Sequence, residues 1–162
     1  ERSLPDKVAA LLREHALPAD GLEVEVTESM LMDDPELSVA TARRLKAIGV
    51  YLSIDDFGTG YSSLSHLKRL PISALKIDQS FVRDLATDPD DAAIITAIIA
   101  MAHTLNLAVV AEGVETEAQR SFLATHGCDE FQGFLASPPL SADEFARLLQ
   151  RQDAAAGLAL PA

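Results

Sequence analysis

Five short apolar segments of this sequence close on residues able to do chemistry. Glu25-Val26-Thr27-Glu28 closes the first, Asp55-Asp56 the second, Lys76-Ile77-Asp78 the third and Glu112-Gly113 the fourth, and the fifth carries Gln132. A charged side chain in an otherwise apolar strand costs several kcal/mol unless it is paired or bound to metal. One such residue reads as a structural ion pair, but four successive segments ending in carboxylates or a lysine read as a site. Glu25, Asp55, Asp56 and Glu112 supply hard oxygen donors suited to Mg²⁺ or Mn²⁺. No cluster of His or Cys accompanies them in the sequence, which disfavours zinc. Two such cations roughly 3.5–4 Å apart would polarise a phosphodiester and acidify a bound water. Lys76 could then orient that water or offset phosphate charge.

Taken singly, each of these features has a blander reading. An isolated Asp-Asp at a strand end is commonly a turn or a helix cap, and Glu25 alone could pair with an arginine. Lys76 alone could be a snorkelling strand-end lysine or a Schiff-base lysine, and Gly58-x-Gly60 alone is a weak loop signal. Asp55 and Asp56 point to opposite sides of a regular strand. Both can meet one metal only if the strand bends, which the loop Phe57-Gly58-Thr59-Gly60 allows.

The elements that must position these residues follow from hydrophobic periodicity. Val8, Leu11 and Leu12 lie at helical spacing over 5–15, and LEVEVTE at 22–28 is a Val/Thr-rich strand. Leu37, Ala40, Leu45 and Ile48 mark a helix over 36–48, stopped by Gly49. VYLSIDD at 50–56 is the second strand, followed by the 57–60 loop and a short helix near 62–69. ALKID at 74–78 is a strand, a helix follows near 79–86, and DPDD at 88–91 caps a very apolar helix to about 105. LAVVAEG at 107–113 is the fourth strand, a helix over 116–126 closes at Gly127, and DEFQG at 129–133 is the fifth strand. SADE at 141–144 is a capping box for a last helix to about 151. Residues 153–162 carry little pattern and read as a disordered tail. Phe81 and the stripe Ile94, Ile95, Ile98, Ile99 read as core, and so does Cys128. His15, His66, His103 and His126 lack ligand spacing and read as structural.

Strict β-α alternation with short connections predicts an α/β fold with a parallel sheet covered by helices. Sites of such folds gather at the carboxyl ends of the strands, where the charged residues fall. The 25 acidic residues against 13 Lys+Arg leave a net charge of −12, a surface that repels DNA, RNA and anionic membranes. A polyanionic substrate would need local cations. A single cysteine excludes an internal disulfide and fits a reducing, cytoplasmic compartment. No stretch approaches the ~18 apolar residues of a membrane span, and the first dozen residues lack a signal-peptide layout.

Together these residues resemble the EAL domain family. Glu25-Val26-Thr27-Glu28, Asp55-Asp56-Phe57-Gly58-Thr59-Gly60-Tyr61-Ser62-Ser63-Leu64, Leu75-Lys76-Ile77-Asp78, Ala111-Glu112-Gly113-Val114-Glu115 and Gln132-Gly133-Phe134 are similar to that family's successive motifs in order and spacing. The resemblance covers about 5–150, with a partial EAL domain over 1–152. It implies a parallel TIM-like (β/α) barrel and hydrolysis of cyclic di-GMP to linear pGpG with two Mg²⁺ or Mn²⁺ ions. Carried over, Glu25, Asp55, Asp56 and Glu112 would be metal ligands, with Asp55 bridging, and Lys76 would hold the attacking water. Asp78 would support the metal–water network, Glu28 would anchor the 56–63 loop, and Glu115 and Gln132 would line the substrate side. The resemblance also implies a homodimer through the DFGTG loop.

The sequence departs from the family pattern in two respects. Such a barrel has eight βα units in roughly 250 residues, whereas five units are read here. No Glu-Ala-Leu tripeptide occurs, so the segment bearing that signature and an early Asn, both metal ligands in the family, is expected to precede residue 1. Pro138 stands where the family usually has Arg or Lys. The rival reading is a non-catalytic cyclic di-GMP receptor or dimerisation module.

Overall fold

The computed structural model describes residues 3–59, 67–85 and 87–157. Helix α1 (Leu4–Glu14) and a single 3₁₀ turn (Ala19–Gly21) lead into β1 (Glu23–Thr27). There follow α2 (Glu28–Asp33), α3 (Pro35–Ile48), β2 (Tyr51–Phe57), β3 (Ala74–Ile77), α4 (Gln79–Asp84) and α5 (Pro89–Thr104). The chain continues through β4 (Ala108–Ala111), α6 (Glu117–Thr125), β5 (Glu130–Phe131) and α7 (Ala142–Gly157). All four ladders are parallel and the sheet order is β1-β2-β3-β4-β5. Each strand therefore pairs with its neighbours in sequence, as in a section of a (β/α) barrel. Among the described residues β1 and β5 are the sheet's two edges.

The helices cover one face of the sheet. Ile54, Leu75, Ile77, Val109 and Ala111 pack there with Val82, Ile95, Ile98, Ile99, Ala102 and Leu123. A second cluster joins Val8 and Leu12 of α1, Ala42 and Leu45 of α3, and Leu52 of β2. Truncating a fully buried leucine such as Leu52 to alanine costs about 2–5 kcal/mol. Because strand side chains alternate, the residues between these apolar ones (Glu25, Ser53, Asp55, Lys76) look the other way, toward the interior that a barrel encloses.

Local signals account for most boundaries. Gly49 ends α3 with φ +105°, a conformation that costs glycine little. Asp88 caps α5 with Pro89 in its first turn, and Ser141 and Glu144 exchange hydrogen bonds as a capping box at α7. Some expectations shift. The first strand stops at Thr27, whose side chain accepts from Met30 N and starts α2, so Glu28 opens a helix instead of closing a strand. Leu11 and Ile94 are exposed at 53% and 39%, because each lies on the solvent side of its helix. Ala40 is exposed and Val39 takes its place in the core. Helix α7 runs to Gly157, six residues past its predicted end, on an Ala-rich stretch of high helix propensity. The helix expected near 62–69 lies mostly outside the described residues, as do Tyr61, Ser62, Ser63 and His66. No helix among the described residues is long and apolar enough to cross a membrane.

Candidate active site

The strand-end residues converge because the ladders align them. Lys76, on a strand whose four residues are all buried, is 4% exposed. Its Nζ lies 2.6 Å from Glu25 Oε1 on β1 and 2.6 Å from Glu112 Oε1 just beyond β4. Asp55 Oδ1 on β2 is 3.4 Å away. One ammonium thus ties together carboxylates from three other positions of the sheet. Gln132 Nε2, after β5, donates to the same Glu112 Oε1 at 2.7 Å. Burial works against the charged lysine, but the hydrogen bonds to Glu112 and Glu25 outweigh it and hold the Lys76 pKa above its ordinary value. Glu112 is raised above the usual carboxylate range by burial, only partly offset by Lys76.

The bend that Asp55 and Asp56 require is present. The β2–β3 register shifts between Ile54 and Phe57, a bulge of the kind that re-aims side chains. Asp56 has φ +54°, in the left-handed region that most L-residues avoid and Asp tolerates. The two neighbouring carboxylates therefore reach the same side: Asp55, Asp56 and Glu112 each offer an oxygen within 4.8 Å of the others. Burial, with Asp55 and Asp78 as negative neighbours, pushes the Asp56 carboxyl above its usual range. Asp78, which accepts from Ser80 N at 2.9 Å as the cap of α4, is driven the other way. Burial would raise it, but the Ser80 hydroxyl and backbone hydrogen bonds hold it low.

This donor set fits a hard divalent cation. It is all carboxylate, and Asp55 Oδ1 is buried with no hydrogen-bond partner, although Lys76 stands at ion-pair distance. An orphaned buried carboxylate oxygen is costly unless a further ligand satisfies it. Glu25 is not one of the three; its Oε1 is turned to Lys76, through which it connects to Glu112.

The remaining predicted residues lie in the connections that follow the strands. Glu28 is buried at 3% exposure, and its Oε2 accepts from Gly58 N at 3.3 Å, holding the start of the loop after β2. Glu115 is exposed in the β4–α6 connection, and its backbone N donates to Gln119 Oε1. Gln119 is a residue the sequence reading missed. It is 8% exposed, its Oε1 accepts from Glu115 N and Thr116 N, and its Nε2 donates to Val82 O of α4. The Thr116-x-x-Gln119 spacing, a capping box, was a usable signal. Gly133 brings β5 against the same connection, with an added Cβ falling 2.2 Å from Val114 O. Cys128 is half-buried, its Sγ within hydrogen-bond reach of Val109 O and Glu130 O; burial pushes its thiol up to about 11, away from the thiolate form that reacts. His103 Nε2 pairs with Asp129 Oδ2 at 2.9 Å and His126 stacks on Phe122, and neither belongs to the Asp55–Asp56–Glu112 group.

Comparison with known proteins places this geometry. The EAL domain family model matches residues 1–139. The bifunctional diguanylate cyclase/cyclic di-GMP phosphodiesterase MucR of Pseudomonas aeruginosa is 55% identical over 141 residues, covering 87% of this chain and 21% of MucR. A solved MucR phosphodiesterase in complex with c-di-GMP superposes with a TM-score of 0.86 at 54% identity, over 88% of this chain and 58% of that one. BlrP1 of Klebsiella pneumoniae, solved with manganese and cyclic di-GMP, gives a TM-score of 0.74 at 35% identity, over 80% of this chain and 33% of that one. The chain spans about a fifth of the length of the curated relatives it matches.

Proposed function

The chain belongs to the EAL domain family, and from that premise we propose that it is the site-bearing part of a metal-dependent phosphodiesterase hydrolysing cyclic di-GMP to pGpG. The observation that carries this reading is the Asp55–Asp56–Glu112 triplet around an orphaned carboxylate oxygen, at the strand ends where such folds place catalysis. Asp55, Asp56, Glu112 and Glu25 would hold the cations, Mg²⁺ or Mn²⁺. When bound, these ions supply charge neutralisation at the scissile phosphate and a water acidified toward hydroxide.

The protein's own contribution is orientation and electrostatics. Lys76 presents its ammonium at the centre of the carboxylates, placed to hold the attacking water and to offset charge developing on phosphate. Gln132 keeps Glu112 in one rotamer through its 2.7 Å hydrogen bond. Glu28 fixes Gly58 and with it the turn that aims Asp56. Asp78 keeps its charge beside Asp56 and is placed to accept hydrogen bonds from waters of the site, while Glu115 faces the substrate side.

The test is chromatographic: c-di-GMP and Mn²⁺ are incubated with the purified chain and with its longer parent, and pGpG is sought. Product that disappears in the parent on Asp55→Ala or Glu112→Ala supports the reading. Full activity in those variants refutes the metal-ligand assignment, and metal-independent binding without product refutes the reading in favour of a receptor. We infer in addition a cytoplasmic setting and a homodimer through the segment beginning Phe57-Gly58-Thr59. The uncharged exposed residues Ala93, Ile94, Ala97 and Ala100 of α5 support association, and sedimentation equilibrium decides it.

A further inference from the structure

We propose that Lys76 is a built-in competitor for the metal ligands, so that filling the site hands Glu25 and Glu112 from an ammonium to a cation. This rests on the reading above and deepens it: Lys76 would set how tightly metal is held as well as taking part in the reaction.

The geometry gives three reasons. First, Glu112 belongs to two arrangements at once. It is one of the three carboxylates able to share a cation, and its Oε1 already accepts from both Lys76 and Gln132, which uses that oxygen's two lone pairs. Second, Glu25 lies outside the triplet, its Oε1 held at 2.6 Å by Lys76; to join a cation at the triplet the side chain must leave the position in which the ammonium holds it. Third, the lysine cannot withdraw as a surface lysine would. It sits on a wholly buried strand and is 4% exposed itself, so a cation at Asp55 and Glu112 meets an ammonium that water screens poorly. The same contacts neutralise crowded carboxylates without metal. Lys76 therefore trades metal affinity for stability of the unloaded site.

Direct Mn²⁺ binding to the purified chain, read by electron paramagnetic resonance of free Mn²⁺ and by melting with and without chelator, tests this without relying on turnover. Lys76→Met removes the charge and should tighten Mn²⁺ by roughly tenfold or more. It should also melt lower than wild type in chelator and recover on Mn²⁺. Lys76→Arg keeps the charge and should bind within about threefold of wild type. The tightening should persist in high salt, since a buried displacement is screened less than a long-range field. Equal or weaker binding by Lys76→Met overturns the competitor role while leaving the metal reading intact. Failure of both wild type and variant to bind Mn²⁺ overturns both readings. If Lys76→Met does not fold in chelator, Lys76→Gln, which keeps N–H donors without the charge, decides by the same criterion.

Discussion

Gly133→Ala should cost far more than a surface glycine substitution, and the structure fixes why. A Cβ at Gly133 would stand 2.2 Å from Val114 O, 2.4 Å from Val114 N and 2.8 Å from Val114 C, all backbone atoms. Relief requires Val114 to recede by about 1 Å, since real contacts are 3 Å or more. Val114 N donates to Gln132 O at 3.1 Å and Val114 O accepts from Leu135 N at 3.0 Å, so the retreat breaks or strains both bonds. Two lost backbone hydrogen bonds, with groups left poorly satisfied, amount to about 3–5 kcal/mol, at the upper end of single-substitution effects. For a domain of this size that is roughly 6–20 °C in melting temperature. Gly21→Ala is the internal control: its Cβ would meet only Pro18 Cγ at an ordinary 3.5 Å, so it should stay within about 0.5–1 kcal/mol. Thermal melts followed by circular dichroism compare the two. Equal melting temperatures for both variants would refute the claim that Gly133 is required by close approach.

Gln119→Leu removes a buried amide that satisfies three backbone groups and should destabilise by about 2–4 kcal/mol, read from urea unfolding midpoints. Asp56→Gly relieves both the left-handed strain of an L-residue and its repulsion by Asp55 and Asp78. It should raise stability in chelator by about 1 kcal/mol yet abolish Mn²⁺-dependent stabilisation; parallel melts with and without Mn²⁺ show both. Asp129 is pushed upward by burial but held below the usual carboxylate value by its hydrogen bonds to His103 and Val109 N. A depressed folded pKa contributes stability above the unfolded pKa, about 4, and loses it as pH falls through the folded value. The stability gap between wild type and Asp129→Asn should therefore close on acidification below about pH 4, in denaturant titrations across that range.

The sheet, its parallel sense and the strand-end carboxylates were legible because each rests on local pattern: Val-rich runs, Gly49, and the Ser141–Glu144 cap. Membership of the family was legible from the motifs alone. What sequence could not supply depends on register and on backbone dihedrals. Lys76 finds Glu25 and Glu112 only because β3 lies between β2 and β4 at one particular offset, and no spacing in the chain encodes a 2.6 Å contact across 51 residues. A bend at Asp55-Asp56 was named as a requirement, but the left-handed Asp56 that makes it is visible only in the backbone. Helix α2 was missed because Glu28, charged and following Val-Thr, looks like one more strand end until Thr27 is seen capping it.

The sequential strand order has a kinetic consequence. Every ladder joins consecutive strands, so each pairing closes over a single βα unit and can proceed in chain order during synthesis. Glu25, Asp55 and Asp56 leave the ribosome before Lys76, and Lys76 before Glu112. The growing sheet thus acquires its internal cation after β2 and before the last carboxylate is delivered. An order with Lys76 last would gather four negative charges on an unfinished sheet, so a circular permutant opened between β3 and β4 is where slow or aggregation-prone folding should emerge.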